Sequence, residues 1–343
     1  METQVAAVVP GTAAVGTASG SAPQEGLRQP ALSVEIIGGL VVRRGDTVLT
    51  AHDLGGPKSR QILEILLLQL GTPVSKNRLI ELLWGNAAPK GAVPTLESYV
   101  SVLRRSLQPG LGKSGPLKTT TGGYWLDRAM VDLDLDRFEA LLRKAEQAAP
   151  AEAYPLLRRA LDMAGAPLLG DELLSDWAEN ERTFHASRVT AARLLAAESA
   201  ARLGRLDEAA ALAQVVLAGE PLNESAWSIL ILALEEAGRP VEGLQAYERC
   251  RRAMAAELGC APGPGLQQAQ ERMLLATAGS EDEFGQVLGA LLDLHRHVAG
   301  GRSRSAGTLR TGPGRSGGPA ESAGLAEAGN IVQRYLRLAL AAV

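Results

Sequence analysis

Gly204 and Gly238 stand 34 residues apart, and the same interval separates Ala209 from Gly243 and Ala213 from Tyr247. A period of that length accommodates two antiparallel helices and their turns, with small residues where the helices pack. The two stretches that carry it, ARLGRLDEAAALAQVVLAGEPLN and EEAGRPVEGLQAYERCRRAMAAE, lie in a run of amphipathic segments, residues 129–277, broken by Gly and Pro. Trp227 and Leu230 take early aromatic and aliphatic positions of the second unit, and residues 151–168 read as an earlier, degenerate helical pair. Each unit can bury its apolar face only against neighbours, so this half is expected to be an all-α stack. Such stacks bind proteins far more often than they catalyse reactions.

Ahead of the repeats the pattern changes. The segments SVEIIGG, LVVRRGD and TVLT, with Gly38-Gly39 and Gly45-Asp46 at turn positions, predict a small antiparallel meander over 33–50. PKSRQILEILLLQL over 57–70 reads as a helix with Pro57 in its first turn and Gly71 closing it. Ser75 then caps a shorter helix, KNRLIELLW, stopped at Gly85. A third helix, PTLESYVSVLRRSL over 94–107, follows the loop NAAPKGAV; Pro94 lies early in it and Gly110 just beyond. Residues 109–116 form a turn-rich connector, and LKTTTGGYWLD reads as a hairpin with Gly122-Gly123 near the bend. Sheet, three helices and hairpin in that order predict a winged helix–turn–helix, with the third helix as the reading element and the hairpin as the wing. The expected fold is therefore mainly α with small β. Residues 1–31 form a Gly/Ala/Thr/Pro-rich disordered extension, 32–128 the winged helix, 129–277 a tetratricopeptide-like helical domain, and 278–343 a tail with a Gly/Ser/Arg-rich linker and room for further helices.

Charge divides along the same boundary. Residues 32–128 hold 12 Lys and Arg against 7 Asp and Glu, whereas 129–277 hold 15 against 23, although the whole chain has a net charge of only −3. A basic first part suits a polyanion, and an acidic second part suits protein contacts. In the third helix Leu96, Val100, Leu103 and Leu107 form one apolar stripe. Thr95, Ser98, Tyr99 and Val102 are expected on the other side, close to base edges. Arg104 and Arg105 at the C-terminal end are expected on phosphates. For Arg104 the competing reading is a structural ion pair with Glu97 or Glu64. Trp84 either donates its indole N–H to a phosphate or packs in the core beside Leu79, Leu82 and Leu83. Lys118 with Thr119, Thr120 and Thr121 supplies phosphate contacts from the wing. Lys58 and Arg78, with Arg60, Lys76, Lys90 and Lys113, either attract phosphates or serve solubility.

Other function classes fit poorly. Gly112-Lys113-Ser114 resembles the end of a phosphate-binding loop, but Leu107 occupies the first glycine position and no strand precedes it. There is no HExxH and no GxSxG elbow, and His52, His185, His295 and His297 are scattered. Two cysteines, Cys250 and Cys260, give neither a disulfide framework nor metal-ligand spacing. No apolar run is long enough to span a bilayer, and no basic region marks a signal peptide, so a cytoplasmic protein is expected, without enzymatic activity, cofactor or metal.

KSRQILEILLL, VSKNRLIELLWG, SYVSVLRRSL and TTGGYWLD together resemble the OmpR-type DNA-binding domain. VDLDLDRFEALLRKA and AMAAELGCAPGPGLQQAQERML resemble the opening and close of the bacterial transcriptional activation domain. Together they resemble the Streptomyces antibiotic regulatory protein family over roughly residues 32–276. The resemblance implies an activator that binds direct repeats of double-stranded promoter DNA as a homodimer and recruits RNA polymerase holoenzyme, in the service of antibiotic or secondary-metabolite genes. It places the loop with Asn86, Pro89 and Lys90 towards the polymerase, although a plain connector would look the same. The OmpR-type pattern has a basic residue where this chain has Val102, which suits a thymine methyl instead of a guanine. Relatives often carry an Arg in the wing where this chain has threonines. No receiver domain is expected before the DNA-binding module. The alternative reading is a tetratricopeptide-type adaptor whose first domain binds protein.

Overall fold

The alternation of Leu32, Val34 and Ile36 inward with Ser33 and Glu35 outward is realised as strand β1 (Leu32–Glu35), which pairs antiparallel with β2 (Val41–Arg44) and through it with β3 (Thr47–Leu49). In this computed structural model residues 31–172 and 175–278 are described, with Val287, Gly289 and Leu291 beyond them. The expected N-terminal extension and nearly all of the expected tail lie outside the described residues.

Helix α1 (Pro57–Leu68) starts on Pro57 as expected and buries Ile62, Leu63, Leu66 and Leu67. A two-residue strand, β4 (Val74–Ser75), which the pattern did not predict, leads into α2 (Lys76–Trp84). The hydroxyl of Ser75 accepts the Arg78 N–H at 3.1 Å, which is the predicted N-cap. Helix α3 (Ala92–Leu107) begins two residues before Pro94, after Gly91 in the left-handed conformation, so Pro94 falls within its first turn. The wing consists of β5 (Leu117–Thr120) and β6 (Gly123–Leu126) joined by the two-residue turn Thr121-Gly122, one residue earlier than expected. Gly122 supplies the positive φ, +83°, and Gly123 lies so close to the Val74 carbonyl that no side chain fits there. β4 pairs with β6, giving a second sheet in the order β4-β6-β5.

A further unpredicted strand, β7 (Val131–Leu133), runs parallel to β1 and completes the first sheet in the order β3-β2-β1-β7. It passes straight into α4 (Asp134–Glu146), the first helix of the second half. The 151–168 stretch is not a helical pair: it holds one helix, α5 (Pro150–Met163), whose partner is α4. Next come α6 (Asp176–Arg202), α7 (Leu206–Gly219), α8 (Glu224–Glu236), α9 (Pro240–Leu258) and α10 (Pro264–Ala278). The 34-residue period is the repetition of one turn. Gly204 before α7 and Gly238 before α9 both adopt positive φ, +73° and +69°. At equivalent depths Ala209 and Gly243, then Ala213 and Tyr247, are buried.

The two halves share a core. Leu168, Leu169 and Ala178 from the helical half, and Val131 and Leu133 from β7, belong to the same buried cluster as Leu32, Leu63, Leu96 and Leu103. The Asp134 carboxylate is buried and accepts N–H bonds from Ile36 and Ile37 at 3.0 and 2.9 Å and from Leu135 at 2.8 Å. Burial raises its pKa, opposed by those backbone bonds. Charge-assisted bonds of this kind contribute about 1.5–3 kcal/mol each. Leu169 N–H donates to Ile36 O at 2.8 Å, and Leu40 N–H to the Asp171 carboxylate at 2.9 Å.

Candidate nucleic-acid interface

Four buried aliphatic side chains fix the rotation of α3. With Leu96, Val100, Leu103 and Leu107 buried, the opposite face carries Pro94, Ser98, Ser101 and Arg105, all exposed. Of the four expected base readers only Ser98 lies at the centre of that face. Thr95 is half-buried at its edge, and its hydroxyl donates to Gly91 O at 3.0 Å. Tyr99 and Val102 point further round than expected. Tyr99 packs on the core and its ring lies 6.5 Å from that of Trp84 at 25°. Val102 is half-buried with its methyl against Gly55. Ser101 was not singled out from the sequence, although the 3.6-residue phase of the leucines places it opposite them.

Arg104 is not on the open face, and its partners are neither Glu97 nor Glu64. Its guanidinium donates to the Leu117 carbonyl at 3.4 Å and to the Thr119 hydroxyl, and lies 5.7 Å from the centre of the Tyr124 ring. It joins α3 to the wing. Glu97 instead pairs with Lys76 at 2.5 Å, a bond that holds the Lys76 pKa above its usual value. Gln108 is a second joint that sequence reasoning missed. Buried at the end of α3, it accepts the Leu117 N–H at 2.7 Å and donates to Gly112 O at 2.6 Å. These bonds fix the 109–116 connector, which contains a short turn of helix at Gly112–Ser114.

Between α3, this connector and the wing runs an open groove of about 920 Å³, lined by Ser101, Arg104, Arg105, Lys113, Lys118 and Thr119 among others, with no carboxylate in its lining. Arg105 is exposed and has no ion-pair partner among the described residues. Lys118 is tied more closely: its ammonium donates to Lys113 O at 3.2 Å and stands 3.9 Å from the Asp127 carboxylate. Thr120 is half-buried, and Thr121 is exposed at the tip.

The expected outer phosphate contacts divide. Lys58 is engaged: its ammonium donates to Gln61 at 3.0 Å and to Leu83 O at 2.6 Å and lies 5.9 Å from the Trp84 ring centre. Arg78 is exposed and paired with Glu81 at 2.8 Å. Trp84 packs against the core, half-buried, and its N–H has no partner among the described residues. Asn86, Pro89 and Lys90 are all exposed on the loop between α2 and α3. The start of α6 approaches that loop, forming with it a cleft of about 620 Å³ that Trp84, Asn86, Asp176 and Trp177 help line. Among the described residues no helix is long and apolar enough to cross a membrane.

Comparison with known proteins agrees with this arrangement. Residues 54–126 match the family of transcriptional regulatory protein C-terminal domains, and residues 133–274 match the bacterial transcriptional activator domain. The regulatory protein DnrI of Streptomyces peucetius is 32% identical over 266 residues, covering 72% of this chain and 94% of DnrI. The regulatory protein AfsR of Streptomyces coelicolor is 35% identical over 249 residues, 68% of this chain but only 23% of AfsR. The chain thus spans under a quarter of AfsR. Among solved structures, Mycobacterium tuberculosis EmbR, in complex with a low-affinity phosphopeptide, superposes with a TM-score of 0.64 at 28% identity, covering 78% of this chain and 72% of that one.

A winged helix–turn–helix joined through a shared core to a helical activation domain defines a transcriptional regulator of the activator class. The chain belongs to the Streptomyces antibiotic regulatory protein family.

Proposed function

We propose that this protein activates promoters by laying α3 in a DNA major groove, with the wing and the groove beside it holding the phosphate backbone. The observation that carries this reading is the pairing of a small, uncluttered helix face, Ser98 and Ser101, with a cationic groove free of carboxylates. Small hydroxyl side chains let the helix backbone approach base edges, and Arg105, Lys113 and Lys118 supply the sequence-independent attraction. Base reading rests on Ser98 and Ser101, with Thr95, Tyr99 and Val102 at the flank. Arg104, Thr119 and Thr120 set the wing, and Thr121, Lys118 and the Trp84 N–H reach phosphates.

Two protomers bound head-to-tail read direct repeats, and the exposed loop with Asn86, Pro89 and Lys90 faces RNA polymerase beside the start of α6. The target genes belong to secondary metabolism, which membership of the Streptomyces antibiotic regulatory protein family supports. The protein acts without a catalytic centre or cofactor, in the cytoplasm. Selection of bound sequences from random duplex DNA at two salt concentrations tests the reading. A short motif repeated at about one helical turn, with affinity falling steeply in salt, is the expected result. Sequence-blind binding that vanishes in salt would overturn it and favour an adaptor that meets only proteins.

A further inference from the structure

Glu64 is an ionisable residue that forms no salt bridge among the described residues. It lies at the middle of α1, has no solvent exposure, and neither carboxyl oxygen has a hydrogen-bond partner among the described residues. Its place on α1 explains where it points. Gln61, Glu64, Ile65 and Leu68 share one stripe of that helix by their three- and four-residue spacing. This stripe is the one the helical half covers. Gln61 donates to the Glu172 carboxylate at 2.8 Å, and Ile65 and Leu68 line a cleft with Trp177 of α6. Glu172, itself buried, also accepts the Ser175 hydroxyl at 2.7 Å, and the neighbouring Asp171 holds the Leu40 N–H.

The charged groups that face Glu64 are therefore Glu172 and Asp171 from the junction and Arg60 from its own helix. Two of the three are carboxylates. An ionised carboxylate without a hydrogen bond in the interior costs far more than a neutral acid, and the negative neighbours add to that cost. We propose that the closed junction between the winged helix and the helical half carries a proton on Glu64, which the parted halves release, so that acidification fastens the two halves and alkalinisation loosens them.

The sign follows from proton counting. Burial first, then Glu172, pushes the Glu64 pKa up to about 8, opposed by Arg60. Once the junction parts, water reaches the stripe and the pKa returns towards an ordinary carboxylate value of about 4.3. Between those values the closed form holds one proton more than the open form. Opening therefore becomes easier by about tenfold per pH unit in that window, and levels off above it.

The measurement is amide hydrogen exchange of the full-length protein from pH 6 to 9, each rate divided by its intrinsic rate. The reporters are Leu169 and Gly170, whose N–H groups bridge the halves to Ile36 O and Gly38 O. Wild-type opening should rise by close to tenfold per unit up to about pH 8 and then flatten, and Glu64→Gln should remove the slope. Equal slopes in the two proteins would overturn the proposal. Should Glu64→Gln fail to fold, infrared spectra of the wild type decide. A protonated-carboxyl band present at neutral pH and lost near pH 8 supports the latch, and a band absent throughout overturns it.

Discussion

Arg104 and Arg105 are adjacent in sequence and 100° apart on α3, and that angle separates their roles. Arg105 stands free at the mouth of the cationic groove, whereas Arg104 spends its guanidinium on Leu117, Thr119 and Tyr124. Replacing Arg105 by Ala should weaken binding equally for all DNA sequences and reduce the salt slope by about one phosphate. Titration at several ionic strengths reads this, and an unchanged slope would exclude the contact. Arg104→Ala should instead lower stability as well as affinity, seen in thermal unfolding without DNA, because it leaves the wing unfastened. At Gly123 the Val74 carbonyl occupies the space of a side chain. Gly123→Ala should therefore part β4 from β6 and cost about 2 kcal/mol or more in denaturant unfolding; a smaller change would mean the strand shifts without loss. Local signals were readable in advance at this scale: the Ser75 cap and Pro57 act within one turn of themselves. The partner of Arg104 was not, since Thr119 lies 15 residues away and the hairpin geometry decides which hydroxyl arrives.

At the scale of elements, helical phase is the deciding quantity. The buried leucines set the outward face of α3 at Ser98 and Ser101, and Tyr99 and Val102 turn back towards Trp84 and Gly55. Random-duplex selection with Ser98→Ala and with Ser101→Ala should each relax the recovered motif at one position per half-site while leaving the rest intact. Motifs identical to the wild type would place base reading elsewhere on the helix. The helices, the meander and the wing were legible because each carries its own period and its own stop residues. β4 and β7 were not. Each is too short to show alternation, and each exists as a strand because a partner, β6 or β1, offers its open edge. The repeat half was legible for the opposite reason. Gly204 and Gly238 mark one turn made twice, and a positive φ leaves glycine as the usual choice there. The earlier helical pair at 151–168 failed because amphipathic spacing alone does not show where one helix is interrupted.

Over the whole molecule, the shared core couples the two halves energetically in a way that their separate sequence signatures hide. A fragment ending at residue 128 would contain every predicted element of the winged helix. It would lack β7, the Asp134 carboxylate under Ile36 and Ile37, and the cover that Leu168, Leu169 and Ala178 give to the N-terminal cluster. Leu32 and Val34 would then present an open sheet edge, and the α1 stripe with Gln61, Ile65 and Leu68 would face water. Each large apolar side chain so exposed forfeits about 1.5–3 kcal/mol, and the N–H groups of Ile36 and Ile37 lose a charged acceptor. Against a total stability of about 5–15 kcal/mol for a domain, several such losses leave little margin. Residues 31–128 should therefore unfold at a markedly lower temperature than residues 31–278, and the longer chain should lose both halves in one cooperative transition. Calorimetry of the two fragments measures this directly. Two separate transitions in the longer chain, the first matching the short fragment, would mean that the halves fold independently and that their common cluster contributes little.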